Sequence, residues 1–539
     1  MLRFIVDKFQ KLTKQVQYQS KADQEDEERG LSSNLDQNLT DLKEIFKDCA
    51  DLVFREFKIG SNNSINAALI YIDGLVNSTS ISDNVLKPLM QSCLQLEQSK
   101  KIDAVAVHNV VKERLLTLGI VAELDELNKL VDEILNGSTA LLLNGSRLAL
   151  LTISKGWENR GIEEPATEAV VRGPRDGFTE NIVTNITLLR RRIKTPRLKI
   201  ESMMIGQLTN TEVKVVYIKG IINDKVVEEV KIRLSRINTD SILESGYIEE
   251  FIEDAPFSPF SQINVTERPD KVAGSLLEGQ VAIFVDNTPF VLLAPSTFPQ
   301  LLISSEDYYN RYLWATFVRF MRFITLNISM MITPLYVSIT TFHPEMMPTP
   351  LLLSIASSKE GLPLPTLVEA LMMEGIFEIL REAGVRMPRA IGAAVSIVGA
   401  LVIGEAGVTA KIISPAMVIV IAISAVSALT MPSIQGSIAI RLMKFPIIIL
   451  AGTLGLFGII IALLFILIHL NTLRSFGVPF LSPLAPTSLG DLKDSIIRFP
   501  RWAMSTRPRL YGYKDPIRQG PRQKPQAPSG KRKEGGEDV

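Results

Sequence analysis

The sequence is short of the residue types on which most enzymes and small secreted domains depend. In 539 residues there are two cysteines, Cys49 and Cys93, and three widely separated histidines, His108, His343 and His469. Two cysteines cannot build a disulfide framework or a cysteine-rich zinc site. Both are expected to be buried small residues in a reducing compartment, and the histidines do not make a metal set. No Walker sequence, Gly-x-Ser-x-Gly or His-Glu-x-x-His occurs, so the phosphate cradle, the nucleophile elbow and the zinc-protease helix are missing. Asp73-Gly74 and Asp286-Asn287 are turn chemistry. No catalytic activity and no cofactor is expected. Net charge is missing too: 58 Lys and Arg balance 58 Asp and Glu, which gives no sign of a nucleic-acid partner. The start, Met1 to Lys8, has too short an apolar run, broken by Asp7 and Lys8, to be a signal peptide. The soluble half is therefore expected on the cytoplasmic side.

What is present is segregation. Residues 1–312 read as a soluble protein, and Phe323–Leu470 holds long stretches without charge. The expected fold class is an α/β soluble N-terminal region of two subdomains plus an all-α transmembrane bundle. A polar leader, 1–39, has too few apolar residues to fold. Subdomain 1, 40–160, is expected to begin with a helix over Asp41–Phe57, then a strand at Ala67–Leu75 and helices over Asp83–Leu96 and Leu124–Leu135. It closes on a hairpin through Asn144-Gly145, a strong short-range hairpin signal between apolar runs. Subdomain 2, 161–310, follows the same pattern. It is expected to hold helices over Thr179–Lys194 and Asp224–Ile237, strands at Met203–Leu208 and Glu212–Ile218, and a second hairpin around Asp286-Asn287-Thr288.

A spanning helix needs about 20 mostly apolar residues. Within 311–475 four stretches qualify: Phe323–Phe342, Ala390–Val408, Ile412–Met431 and Pro446–Leu470. Gly392, Ser396, Ala400 and Gly404 form a small-residue ladder suited to close helix contact, and Gly452, Gly455 and Gly458 add to it. Four spans put both termini on one side but leave Arg381, Arg386, Arg389, Arg441 and Lys444 on the other, against the positive-inside tendency. Counting Pro363–Arg381 as a fifth span cures that and exports the tail. The tail, 476–539, is proline-rich and is expected to be disordered after about residue 513.

Pro363–Arg386 is a predicted helix with acids on one face. Glu374, Glu378 and Glu382 lie four residues apart; Arg381 and Arg386 are spaced to pair with Glu378 and Glu382, whereas Glu369 and Glu374 have no partner on the helix. It reads either as an interfacial helix whose acids face water or as a pore-lining helix, with Val368, Glu369, Met372, Glu374, Gly375 and Glu378 as pore and gating candidates. The joint between the subdomains is dense in motif residues: Glu164, Pro165 and Glu168, then Arg172, Gly173, Pro174, Arg175, Gly177, Phe178 and Glu180, then Asn185 and Arg190, Arg191 and Arg192. Gly-Pro and Asp-Gly enforce bends. Five guanidiniums facing Glu164, Glu168, Asp176 and Glu180 suggest first an ion-pair network that fixes the two units, and second a ligand site.

That run resembles the A-subunit family of bacterial spore germination receptors (GerA-type). The resemblance continues in Pro365-Thr-Leu-Val-Glu-Ala-Leu371, Glu378-Ile-Leu-Arg-Glu-Ala-Gly-Val-Arg386, Ser396-Ile-Val-Gly-Ala-Leu-Val-Ile-Gly404 and Ser414-Pro-Ala-Met417, and covers about residues 40–500. It implies a multi-pass protein of the spore inner membrane, in contact with membrane lipid, beside a transporter-like B subunit and a lipoprotein C subunit. It further implies a ring-shaped homo-oligomer, with a pentamer as the suggested size, that releases monovalent cations once nutrient is sensed. The motifs do not separate this chain from a paralogous group that accompanies dipicolinate-release channels. A non-conducting scaffold of the same complex and a secondary transporter are the alternatives; the second lacks matching broken helices in two halves.

Overall fold

The computed structural model of the chain describes residues 29–59, 65–91, 108, 111–112, 121–156, 164–165, 167–387, 404–488, 490–510, 514–520 and 523–525. Residues 30–39, expected in the polar leader, belong to the folded unit. Gly30 bridges Glu126, Leu31 and Leu35 are buried, and helix α1 (Leu35–Ile45) starts on Asn34, whose side chain accepts from the Asp36 amide. The predicted helix to Phe57 ends at Ile45. After a turn in which Asp48 takes φ 63°, Leu52–Ile59 forms strand β1 and pairs residue for residue with β2 (Ile65–Ile72). Its Val53, Phe54, Phe57 and Ile59 suit either period locally, and the long-range ladder decides for strand.

The two units have one topology. In the first, β1 and β2 are followed by β3 (Val121–Leu124), α2 (Leu127–Leu135), β4 (Thr139–Leu143) and β5 (Ala149–Thr152), in the sheet order β1-β2-β4-β5-β3. In the second, α3 (Ile182–Arg190), β6 (Leu198–Ile205) and β7 (Thr211–Ile218) precede α4 (Asp224–Ser235), α5 (Ser245–Ile252) and β8 (Asn264–Thr266). α6 (Pro269–Glu278), β9 (Val281–Val285) and β10 (Val291–Ala294) follow, and the order is β6-β7-β9-β10-β8. All pairings are antiparallel. Both predicted hairpins form, β4–β5 and β9–β10, with Gly145 at φ 91° and Asn287 at φ 67°. Alternate residues of β7 and β9 enter opposite cores: Val213, Val215 and Ile283 pack with α4 and α5, whereas Val216, Ala282 and Phe284 pack with α3 and α6. Burial on both faces explains why these strands read as unbroken apolar runs.

The helical region comprises α7 (Tyr312–Phe342), α8 (Thr349–Lys359), α9 (Thr366–Arg386), α10 (Pro415–Ala428) and α11 (Ile434–Thr472). Among the described residues α7 and α11 are long and apolar enough to cross a membrane. The expected spans Phe323–Phe342 and Ile412–Met431 fall on α7 and α10. Most of Ala390–Val408, with Gly392, Ser396 and Ala400 of the small-residue ladder, lies outside the described residues, and Gly404 is inside them.

The last expected span, Pro446–Leu470, is not one straight crossing. Gly455, at φ 64° and ψ −145°, breaks α11, and the chain folds back. A Cβ on Gly458 would run into the Leu450 carbonyl, eight residues and about 12 Å away in a straight helix. Ala439 shares a cluster with Leu470, and Ile447 with Ala462. Both ends of the hairpin therefore meet subdomain 2: Gln435 Nε2 donates to Glu249 Oε1 (2.7 Å), and His469 Nε2 bonds Ser258 Oγ (2.9 Å). The apex lies against Phe342 and His343 at the far end of α7.

The tail is no free extension as far as residue 520. Ser475 Oγ donates to the Gln262 carbonyl (2.6 Å), the Phe298 amide to the Phe480 carbonyl (2.7 Å), and Arg518 pairs with Glu278 (2.7 Å). The order expected to end near 513 extends further because Arg507 and Arg518 find partners on α6.

Candidate functional site

Helix α9 is wedged among α7, α10 and α11 with Glu369 and Glu374 inward. Glu369 is 1% exposed and Glu374 3% exposed, with Ala370 and Met373 on the same buried strip. The first expected face is thus inverted at Glu369 and Glu374, which do not face water, while the apolar Val368 (45% exposed) and Ile379 point outward and Glu382 stays exposed. A helix surrounded by lipid or by other subunits turns its polar groups to its own bundle.

Glu369, Glu374 and Glu378 find partners outside the helix, whereas Glu382 pairs on α9 itself. Glu369 Oε1 accepts from the Ser414 amide (2.5 Å) and hydroxyl (2.6 Å), just before α10. Glu374 Oε2 accepts from Lys444 Nζ (2.6 Å) on α11, and Oε1 from Thr333 Oγ1 (2.9 Å) on α7. Lys444 also donates to Ser424 Oγ (3.1 Å), whose hydroxyl donates to the Ser329 carbonyl (2.9 Å). Glu378 takes Arg441 Nη1 (2.5 Å), not the Arg381 that its spacing suggested, while Arg386 and Glu382 do pair (2.7 Å). Glu369 and Glu374, which have no partner on their own helix, are the best held of the four: each is buried and accepts two hydrogen bonds from distant segments. Met372 is half-buried in the same apolar cluster, and a Cβ on Gly375 would meet nothing within 4 Å.

These contacts also fix direction. Leu367 packs on Gly452, Glu374 on Lys444 and Glu378 on Arg441, so α9 runs opposite to the first arm of α11. Ser424 meets Ser329 and Thr430 meets Thr325, so α10 runs opposite to α7.

The second motif cluster ties the soluble units together through Asp51, a residue that no local pattern singles out. Arg190, 1% exposed, reaches it with Nε (2.7 Å) and Nη2 (2.9 Å) and gives Nη1 to the Thr195 carbonyl (3.2 Å). Burial disfavours its charge, and the adjoining Asp51 carboxylate more than offsets this, holding the guanidinium above its ordinary pKa. Backbone bonds join the units beside it: the Ala50 amide to the Ile200 carbonyl and the Ile200 amide to the Asp48 carbonyl, both 2.9 Å. Cys49 packs there, its thiol pushed up by burial; Cys93 lies outside the described residues.

The other motif residues organise subdomain 2. Arg192 pairs with Asp176 (2.5 Å). Glu168 takes Lys271 (2.7 Å) and the Thr266 hydroxyl. Arg268 donates to the Glu168 and Pro174 carbonyls (3.0 and 2.9 Å), and Tyr309 lies against Gly173, at φ 143°. Phe178 stacks edge-on to Phe284, Asn185 closes the turn on the Thr179 amide and carbonyl, and the Glu180 carbonyl accepts from the Asn287 amide. Pro165 is buried at the start of this run, with Gly177 beside the Phe178 anchor. Arg172, Arg175 and Arg191 are exposed, and Arg175 is 4.0 Å from Glu164. A cavity of about 470 Å³ between the units is lined by Asp73, Gly74, Asn77, Asn181, Thr187 and Arg191.

Two soluble α/β units carried on an apolar helical bundle with ionisable groups inside it define a membrane-associated protein. The chain belongs to the Bacillus/Clostridium GerA spore germination protein family, whose pattern it matches over residues 40–510. It is 46% identical to spore germination protein KA of Bacillus subtilis (strain 168) across 92% of this chain and 90% of that protein. With the uncharacterized membrane protein YfkQ of the same organism the identity is 42%, across 90% and 93%. Among solved structures, the N-terminal domain of the A subunit of the Bacillus megaterium spore germinant receptor GerK3 is 41% identical. It covers 50% of this chain and 98% of that one, with a TM-score of 0.39.

Proposed function

We propose that this chain is the A subunit of a spore germinant receptor: a multi-pass protein of the spore inner membrane that works with a transporter-like B subunit and a lipoprotein C subunit. It assembles with copies of itself, as a pentamer on the family resemblance, and conducts monovalent cations when nutrient is sensed. The observation that carries the reading is the row of ionisable groups in the apolar bundle, Glu369, Glu374–Lys444 and Glu378–Arg441. Charge at membrane depth is costly, and where it is kept it generally marks an ion path or a switch.

The hairpin of α11 supports the topology. With the soluble units in the cytoplasm, two crossings in place of one return the C-terminal strap to their side. With α9 as a crossing, Arg381, Arg386 and Arg441 then lie at the cytoplasmic end, in line with the positive-inside tendency. The direction of α9 relative to α11 fits this arrangement.

In a ring, the outward face of α9, with Val368 exposed next to the buried Glu369, is the natural constriction, and apolar constrictions gate by dewetting. Potassium efflux from spores lacking the gene, complemented with wild type or Val368→Ala, tests it. Val368 is exposed in the subunit, so its truncation leaves the fold intact. Leak without nutrient, or release at lower nutrient, is expected; wild-type efflux would sink the assignment. The internal pairing of Glu369 and Glu374 favours the second reading, a non-conducting scaffold, and that outcome would select it.

A further inference from the structure

The end of α7 nearest the soluble units carries an apolar face that no described residue covers. Arg322 is the last charged residue of α7. The uncharged stretch that follows, residues 323–342, is just long enough for the hydrocarbon core of a bilayer, about 30 Å at about 1.5 Å per residue. The turns before it, residues 312–322, therefore stand at headgroup level. On them Leu313, Trp314, Phe317 and Phe320 are each more than half exposed, whereas Ala315 and Arg319 are buried. At about 3.6 residues per turn, the four exposed side chains share one side of the helix and the two buried ones the other. Thr316 stands on the boundary.

The C-terminal strap is laid along that boundary. Thr316 Oγ1 accepts from the Arg498 amide (3.2 Å), and the Arg498 guanidinium donates to the carbonyls of Asn310 (2.9 Å) and Tyr308 (3.0 Å). Arg498 is buried, and its neighbours Ile497 and Phe499 are exposed, as is Trp502. Cations accompany these apolar side chains. Arg311, Arg501 and Lys524 are exposed, and Lys524 Nζ lies 5.6 Å from the centre of the Trp502 ring. The acids of the strap are engaged within the chain: Asp494 by Arg319 (2.9 Å), Asp515 by Arg507 (3.0 Å) and Asp491 by the Ser488 hydroxyl (2.8 Å). Aromatic and aliphatic side chains flanked by Lys and Arg are the composition that settles at the surface of an anionic leaflet.

We propose that the C-terminal strap is a second, surface-lying membrane contact: Ile497, Phe499 and Trp502 extend the apolar stripe of α7 into the headgroup layer of an anionic phospholipid leaflet, with Arg311, Arg501 and Lys524 on its phosphates. The inference rests on the reading of α7 as a membrane span. The strap also grips α6, through Arg507 on the Leu277 carbonyl (2.9 Å) and Arg518 on Glu278 (2.7 Å), so the contact fixes subdomain 2 against the membrane surface.

The test places the full chain in nanodiscs containing phosphatidylglycerol, with Trp157→Phe and Trp314→Phe leaving Trp502 as the only tryptophan. A phospholipid carrying a nitroxide on its headgroup is expected to remove most of the Trp502 emission, and aqueous acrylamide to remove little. Arg501→Gln with Lys524→Gln, both at exposed positions and so compatible with folding, should weaken the contact about five-fold per charge. Nitroxide quenching then falls and acrylamide quenching rises, and exchanging phosphatidylglycerol for phosphatidylcholine should act in the same direction. Acrylamide quenching without nitroxide quenching puts Trp502 in water, and protection from both puts a second copy of the chain or another protein over it. Either result overturns the proposal, as does quenching indifferent to lipid charge. A chain that does not enter the nanodiscs at all overturns the reading of α7 as a span, and the proposal with it.

Discussion

Two of the buried ion pairs in this molecule, one in each half, are built differently. Arg190–Asp51, between the soluble units, is a bidentate fork whose third nitrogen is satisfied by the Thr195 carbonyl. Lys444–Glu374, inside the bundle, is a point contact eked out by the hydroxyls of Ser424 and Thr333. A planar guanidinium locked on a carboxylate has one geometry, whereas an ammonium on a flexible stem can exchange partners. The soluble pair suits a clamp. The bundle pair, among hydroxyls that can each donate or accept, suits a group that changes partners. The same chemistry thus serves rigidity in one half and adjustability in the other.

The comparison breaks first at the clamp. Asp51→Ala leaves Arg190 buried and unpaired and should cost roughly 3–5 kcal/mol, read as loss of the protein from spore membranes. Normal abundance would show that the backbone bonds between Ala50, Asp48 and Ile200 hold the units alone.

The bundle pair gives the next effect. Glu374→Gln alone strands the Lys444 charge and should lower abundance, whereas Glu374→Leu with Lys444→Met, close in volume, should restore it, since apolar replacement of a whole buried pair is often neutral. Restored abundance with lost potassium efflux would sharpen the contrast: the pair then serves conduction. Restored abundance with normal efflux would reduce it to packing.

A smaller effect is expected at Glu249, which touches both halves through Ser261 (2.7 Å) and Gln435 (2.7 Å). Burial chiefly, with Glu253, Glu244 and Glu250 adding to it against the Ser261 bond, raises its pKa from 4.5 to about 7. Between those values the folded state holds a proton that the unfolded state has released. The stability it contributes is therefore present below pH 4.5, falls as pH rises to 7, and levels off above. Glu249→Gln should flatten that part of the Tm-against-pH curve; an unchanged slope places the titration elsewhere. The smallest effect belongs to Arg175→Ala. Its place in the Arg-rich bend suggests a keystone, but it is exposed and 4.0 Å from Glu164, so its loss should move stability by less than about 0.5 kcal/mol.

Much of the fold is legible in the sequence for identifiable reasons. Asn144-Gly145 and Asp286-Asn287 signal hairpins because they need positive φ, and both turns adopt it. Helix α9 is legible over nearly its whole length because nothing in Thr366–Arg386 breaks it. β1 reads as helix because its apolar spacing fits both periods and its partner strand decides. α5, α6 and β8 escape a local reading because they are short and their apolar residues belong to a shared core. In the candidate sites, the Arg-rich run shows that charge is concentrated at the joint. It does not show Asp51, an ordinary aspartate 139 positions from Arg190.

By itself the sequence determined the division into two soluble α/β units and an apolar bundle, because hydrophobicity and turn chemistry are properties of neighbours along the chain. It also determined the family, through motifs spread over most of its length. Only the tertiary structure decided that α11 turns back at Gly455, that Glu369 and Glu374 of α9 face inward, and that Arg319 and Arg322 share Asp307. Each of these depends on which distant groups meet, and a local pattern carries no information about the partner that satisfies a buried charge or the surface on which a helix reverses.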